Sequence, residues 1–463
     1  MEGKAARRAA DWKRYPFVLA PDDAQLIFPA AEGDQGAESN TYYVAGRLRG
    51  RASGREWAFL TVFTFNDIHH RLRADFYTLA LFDLGAGTYG TFSEFDLPRP
   101  FRLRRRYKLS VAPGHLDVAF DAAPGRSSWT TRRAADGTLQ PFAYHVSLHG
   151  TDADRRRMHL ELDIDTLKPP MPVGGAEYAG TKTCIGQYGT HSYFQSDLRF
   201  SGTLAWGDTR EAVDGDCGWI DRQWTPRHLG VHNDSRSARY RHEWRQLHLD
   251  NGMALSAWMN IDRPRHNRPI PFWGVTLATA DGRVLCTTEY ELERTSFVRD
   301  PEHVRPTRPL TRGAKWMSDG YRLRVPAWEL ELSSTPLVPA PAHLFPIEYW
   351  SGPTRIEGRL GEQPLSGFGF HERTMIFARD FELVEVLRQT LRHLPAAALA
   401  AGGPSGLALA NLAWEVDGFL SHHGRAAARA HLRERVRPQC ERLAAPQRAH
   451  VLQIVADLDA ALR

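Results

Sequence analysis

The stretch RRMHLELDID (residues 156–165) sets Met158, Leu160, Leu162 and Ile164 at every second position, with His159, Glu161, Asp163 and Asp165 between them. A period of two puts the apolar set on one face and the polar set on the other, the pattern of a half-buried strand. The same texture extends in both directions. TYYVAGRLRG (41–50) and REWAFLTVFTF (55–65) read as strands joined by a short glycine-containing connection. DFYTLALFDL (75–84), HLDVAFDA (115–122), AYHVSLHG (143–150) and DLRFSGTLAW (197–206) follow, each bounded by Gly, Pro, Asp or Asn. Closely spaced strands without intervening helical periods predict an antiparallel β-sandwich or barrel.

A second β series begins near Tyr240. YRHEWRQLHL and MALSAWMNI flank Asp250-Asn251-Gly252, a hairpin signal. PFWGVTLATADGRVLCTTEYEL, YRLRVPAWELELSS and EYWSGPTRIEGRLGEQPLSGFGFHERT continue it, and the proline-rich STPLVPAPAHLFP reads as a loop within it. Near Arg379 the period changes. Val384, Leu387, Leu391 and Leu394 are spaced as on one helix face, and so are Val451, Ile454, Val455, Leu458 and Leu462. GGPSG breaks this helical tail, and Pro438 and Pro446 mark further turns. The expected organisation is mainly β: one β-domain over residues 15–225, a second over 226–380, and a helical appendage over 381–463.

Composition narrows the function. The chain of 463 residues is 42% hydrophobic and carries 13 Trp and 22 Phe, enough for large aromatic cores. Its net charge of +5 rests on 53 Arg against six Lys. The densest basic run, Arg102–Lys108, reads as a solvated strand face, so no nucleic-acid partner is expected. The four cysteines (Cys184, Cys217, Cys286, Cys440) form no CxxC pair, which fits a reducing compartment and points to no zinc site. With no apolar run long enough for a signal peptide or membrane span, a cytoplasmic protein is expected. No GxGxxG, Walker, HExxH or GxSxG motif occurs, and the adjacent pairs His69-His70 and His422-His423 point apart, so neither cofactor nor metal is expected.

One constellation carries chemistry. In HSYFQSD, His191 and Tyr193 are two residues apart; in CGWIDRQW (217–224), so are Trp219 and Asp221. On neighbouring strands the two pairs are expected to converge on one side of a barrel interior. A carboxylic acid among aromatic rings keeps its proton and can donate it to an alkene, while ring faces stabilise the developing cation. A histidine or tyrosine orients the water and takes its proton. The same residues also read as an ordinary strand end, with Asp221 paired to Arg222 and the tryptophans in the core. The choice turns on where Asp221 points and on whether Arg222 neutralises it.

Three blocks also resemble the carotenoid 1,2-hydratase/AttH-like family: ESNTYYVAGRL with REWAFLTVFTF, then HSYFQSDLRFSGTLAWGDTREAVDGDCGWIDRQW, then YWSG with GFGFHERT. Together they cover roughly residues 15–380. The resemblance implies two lipocalin-like β-domains and a family that includes carotenoid and isoflavonoid hydratases, with cycloaddition catalysts among related folds. It places His191, Tyr193, Trp219 and Asp221 in the catalytic role; Tyr43, Trp224, Trp350 and Glu372 are candidate substrate contacts beside it, with a core tryptophan and a strand-end salt bridge as the plainer readings of Trp350 and Glu372. Relative to the family pattern, Tyr193 and Trp219 exchange their rings, Tyr42 replaces a tryptophan, and Glu38 is displaced by one position. The helical tail lies outside the resemblance. Its apolar faces are of ordinary size, so it is expected to pack onto the β-domains, with covering a barrel mouth, self-association and peripheral contact with a membrane holding the substrate as the other roles. The expected partner is a hydrophobic isoprenoid or polyene, to which water is added. A pericyclase or isomerase acting in a shaped pocket, and a carrier of lipid or pigment, are the alternatives. The sequence does not choose an oligomeric state.

Overall fold

The computed structural model describes residues 12–19, 26–37, 39–68, 72–96, 107–172, 181–182, 190–225, 240–262, 268–270, 274–299, 316–339, 341–344, 348–375, 394–395 and 397–462. His69, His70, Cys184, most of the Arg102–Lys108 run and most of the helical pattern at 380–394 lie outside them. The first β series forms one antiparallel sheet. Its strands run in the order Thr88–Asp96, Leu72–Asp83, Glu56–Ile68, Ser39–Gly50, Thr209–Thr225, Leu198–Trp206, Arg157–Thr166, Leu139–Thr151, Gly125–Arg133, Asp117–Ala122 and Leu109–Val111. The strand Thr190–Ser196 adds to the far end of Thr209–Thr225. The second series forms another sheet, whose middle strands run Ala254–Asp262, Tyr240–Leu249, Gln363–Met375, Glu348–Leu360 and Leu330–Pro336.

Both sheets curl into half-barrels. In the first, the Tyr77 hydroxyl donates to the carbonyl of His149 at 3.1 Å, and its ring stacks on Phe120 at 5.5 Å, although these strands are far apart in the sheet order. Arg157–Thr166 behaves as its alternation predicts: Met158, Leu160, Leu162 and Ile164 are buried in the concave core while Glu161 stays exposed. Glu56–Ile68 does not alternate, for a physical reason. Trp57, Phe59, Phe63 and Phe65 fill the concave core, whereas Ala58, Leu60 and Val62 fill a second core on the reverse face. A strand covered on both faces reads as a continuous apolar run.

That second core joins the two sheets. Tyr43, Ala45, Leu60, Ala80, Phe82, Phe194 and Trp219 of the first meet Trp244, Trp258, Tyr349, Phe368 and Phe370 of the second. Alanines at 45, 58 and 80 let the large rings of the second sheet approach closely. Each fully buried large apolar side chain contributes about 1.5–3 kcal/mol, so this seam is a major source of stability. In the second sheet the Asp250-Asn251-Gly252 turn closes the expected hairpin. Gly252 takes φ 78°, and Leu249 N–H donates to Met253 O at 2.9 Å.

By its internal contacts the chain divides into two compact units. One comprises Met1–Asp262, Pro269–Leu292 and Leu323–Ile376; the other comprises Arg263–Arg268, Glu293–Arg322 and Phe377–Arg463. The second holds the helices Gly403–His431, kinked at Gly424, and Ala445–Ala461. Val451, Ile454, Val455, Leu458 and Leu462 are buried there with Leu409, Ala413 and Val416, as their spacing predicts. Pro438 departs from expectation. It lies inside a continuous helical run, directly after the π-helical turn Leu432–Val436, whose wider winding accommodates a residue without an N–H.

Phe200 occupies a bed of glycines in the first sheet. A Cβ on Gly218 would lie 2.2 Å from its ring, one on Gly46 2.5 Å, and one on Gly215 3.0 Å. Phe200 is 1% exposed and packs edge-on against Phe59 at 5.3 Å, so the ring has little room to yield. Gly218→Ala should therefore lower the stability measured by urea unfolding by about 1–3 kcal/mol, and Phe200→Leu in the same chain should recover part of the loss.

Candidate active site

The pairing of Thr190–Ser196 with Thr209–Thr225 settles where the candidate residues go. His191 lies opposite Trp224, Tyr193 opposite Arg222, Phe194 opposite Asp221, and Ser196 opposite Trp219. Residues directly opposite share a face, and alternate positions change face. His191, Tyr193, Arg222 and Trp224 therefore stand on one side, and Ser192, Phe194, Trp219, Asp221 and Gln223 on the other. The expected convergence of the His-x-Tyr and Trp-x-Asp pairs is corrected: the register places them on opposite faces of the same two strands.

On the concave side, His191 stacks on Trp224 at 5.3 Å, and Tyr193 meets Phe28 edge-on at 4.7 Å. The Arg222 guanidinium donates to Gly33 O at 2.8 Å, Asn40 Oδ1 at 2.6 Å, Tyr42 Oη at 2.9 Å and Gln223 O at 2.7 Å, and it lies over the Tyr42 ring. The sequence question about Arg222 is thereby answered, since its guanidinium turns away from Asp221 to the opposite face.

Asp221 is 2% exposed and faces the seam between the sheets. Ser192 Oγ donates to its Oδ1 at 3.2 Å, and Gln223 Nε2 donates to its Oδ2. Its neighbour across the other edge of the strand is Tyr43. Gln246 Nε2 of the second sheet donates to Tyr43 Oη at 2.9 Å, and Tyr43 meets Trp244 edge-on at 5.5 Å. Burial pushes the Tyr43 phenol well above its ordinary pKa, and the negative charges of Glu372 and Asp221 add to that. Tyr349 Oη donates to Glu372 Oε2 at 2.5 Å. Trp219 touches Phe194 at 4.8 Å, Trp244 at 6.3 Å and His248 at 5.6 Å. The seam thus gathers Asp221, Trp219, Tyr43 and Glu372 of the sequence candidates. Trp350 is not among them: it pairs with Arg373 while Glu372 pairs with Ser351, so Trp350 faces the inner side of the second sheet.

His343, unremarked in the sequence, also bridges the seam. Its Nε2 lies 2.8 Å from Ser351 O, which can only accept, so Nε2 carries the proton and Nδ1 accepts from Thr91 Oγ1 at 2.9 Å. Burial lowers its pKa to about 4, which keeps the ring neutral. Tyr349 had a readable signal, because in EYWSG it alternates with Trp350 and must take the other face.

A second buried acid had no such signal. Glu32, in the turn Ala30–Glu32, is 1% exposed at the end of the first half-barrel. Tyr144 Oη donates to its Oε1 at 2.6 Å, and Tyr15 Oη lies 3.0 Å from both oxygens. Gln195 Nε2 donates to Tyr144 Oη, and Thr166 Oγ1 donates to Gln195 Oε1. Burial raises the Glu32 pKa from 4.5 to about 7, against the opposing pull of its hydroxyl donors and Arg222. The native state therefore keeps a proton that the unfolded chain has lost between these values, and stability falls as pH rises through this window. Urea midpoints should decline from pH 4.5 to 7, with a contribution from Glu32 on the order of 3 kcal/mol. Glu32→Gln should flatten that slope.

Residues 20–374 match the AttH-like family profile. Among solved structures, an AttH protein (NE1406) of Nitrosomonas europaea is 20% identical with a TM-score of 0.57, covering 78% of this chain and 99% of its own. Kievitone hydratase of Nectria haematococca is 14% identical with a TM-score of 0.55, covering 78% of this chain and 98% of its own. At these identities the likeness is one of fold. No curated protein sequence matches. The profile spans both β series and stops short of the helices, and on that match the chain belongs to the AttH-like family.

Proposed function

We propose that the protein is an enzyme that adds water to an alkene of a hydrophobic, isoprenoid or polyene substrate, and that the seam between the two sheets is its active site. The observation that supports this is a seam in which Asp221 lies opposite Tyr43 on the first sheet and Glu372, held by Tyr349, stands on the second, within walls of Trp219, Phe194 and Trp244. Kievitone hydratase, which has the same fold, is a hydratase by name.

In this reading Asp221 takes up a proton before the reaction and gives it to one alkene carbon. The neighbouring carbon becomes a cation, stabilised by the faces of Trp219 and Trp244. Water adds to that carbon and loses a proton to Glu372, which Tyr349 holds in place. Ser192 and Gln223 fix the orientation of the acid. Glu372 then releases its proton to solvent and Asp221 takes one up, so the sum is alkene plus water giving an alcohol.

Incubation with an acyclic polyene in water labelled with oxygen-18 tests the assignment. One labelled oxygen should enter the product, and Asp221→Asn should lower kcat by about 10²–10⁴-fold with substrate binding retained. Unlabelled isomerised product, made equally by wild type and variant, would instead indicate a cyclase or isomerase. Binding without product in either would indicate a carrier.

A further inference from the structure

The concave face of the first sheet holds a polar cluster that the proposed reaction does not use. Arg222, Asn40 and Trp224 stand together there: Trp224 pairs with Asn40 and Arg222 with Tyr42 across the strands, and the guanidinium lies 5.0 Å from the Trp224 ring. All three are at most 1% exposed. Among the described residues, Arg222 Nε, Asn40 Nδ2 and Trp224 Nε1 have no acceptor. A buried N–H without an acceptor is costly, and three adjacent ones on one strand pair call for an acceptor.

What the cluster already holds shows which acceptor suits it. Residues 12–19 and 26–37 fold over this end of the half-barrel, and Trp12, Tyr15, Phe17 and Phe28 pack there around Phe142. Their backbone offers one carbonyl oxygen, Gly33 O, to Arg222 Nη2 at 2.8 Å and to Tyr42 Oη at 3.2 Å. The segment is otherwise tied to the barrel by Tyr144 to Glu32, Lys13 to Thr166 O, Phe142 N–H to Tyr15 Oη and one backbone bond, Asp34 N–H to Ala112 O. Most of the rings that fill the space belong to the segment, while the N–H donors belong to the wall.

We propose that this end of the first half-barrel is a binding site for a small carboxylate with an apolar or aromatic body, recognised by Arg222, Asn40 and Trp224, and that the segment around Gly33 occupies it as an internal cover that such a ligand displaces. Only N–H donors are on offer, and the guanidinium supplies a positive charge, so a carboxylate satisfies both. The groups that face Glu32 are Tyr15 on its own segment, Tyr144 and Tyr193 on the wall, and the Arg222 guanidinium. Displacing the segment takes Glu32 from that setting into water, where its affinity for a proton drops and the proton leaves. Carboxylate binding is therefore coupled to proton release near pH 6.

The probe is 3-phenylpropanoate, with 3-phenylpropanol as the neutral control, on the full chain at pH 6. Calorimetry in two buffers of different ionisation enthalpy should give one saturable site for the carboxylate, weak or no binding of the alcohol, and proton release that Glu32→Gln removes. Hydrogen exchange should accelerate in residues 12–19 and 26–37 on binding. Trp224→Phe keeps the ring but removes one donor, and it should weaken binding about tenfold. Asp221→Asn, on the opposite face, should leave binding unchanged, which separates this site from the proposed active site. The proposal is overturned by an absence of binding, by equal binding of the alcohol, by binding insensitive to Trp224→Phe, or by unchanged exchange in residues 12–19 and 26–37.

Discussion

The strand Thr209–Thr225 is hydrogen-bonded along both edges and, from Cys217 to Trp224, covered on both faces, and the rest of the first sheet is arranged around it. Ser39–Gly50 lies along one edge; Leu198–Trp206 and Thr190–Ser196 share the other. Because side chains alternate, the odd and even positions beyond its bulge at 214–217 serve different cores. Trp219 and Asp221 belong to the seam with the second sheet, whereas Ile220, Arg222 and Trp224 belong to the half-barrel interior. A slip of one residue in this ladder would exchange the two sets and place a buried guanidinium in an aromatic seam. Bulky Phe200 against Gly46, Gly215 and Gly218 helps fix the ladder, since those three positions must meet that ring and no other.

Much of the architecture was legible because it follows from short-range patterns. Alternation at Met158–Ile164, the Asp-Asn-Gly turn and the helical spacing from Val451 to Leu462 each need only a few neighbouring residues to be understood. Two β series could be told from a helical tail on the same basis. The site was harder to read. Same-face placement of His191 with Tyr193, and of Trp219 with Asp221, follows from a period of two. Whether the two pairs share a face with each other depends on pairing register, which no local pattern encodes. Trp350 and Glu372 part for the same reason. Glu32 was invisible because its importance comes from where a turn is carried in space, beside Tyr15 and Tyr144, and PAAEG contains no hint of either partner.

The two carboxyl environments show how one sheet can hold acids of different character. On the seam, Asp221 receives a hydroxyl and an amide and faces a phenol from the adjoining strand. In the interior, Glu32 receives phenols and lies within the field of a guanidinium, yet burial still dominates. Arg222 is what keeps these settings distinct. By committing its donors to Gly33, Asn40 and Tyr42, it supplies charge to the interior alone.

The ladder between Ser39–Gly50 and Thr209–Thr225 also has a meaning in time. Gly50 pairs with Val213 and Ser39 with Thr225, so an early strand of the sheet finds this partner only after most of the first β series has been made. Such a contact is of high order and closes a long loop before any of its stabilisation is gained. During synthesis the Ser39–Gly50 edge waits unpaired, with Tyr42 and Val44 on one face and Tyr43 and Ala45 on the other. Completion of the sheet is therefore a late and concerted event, and a nascent chain at this stage depends on shielding of that edge from its neighbours.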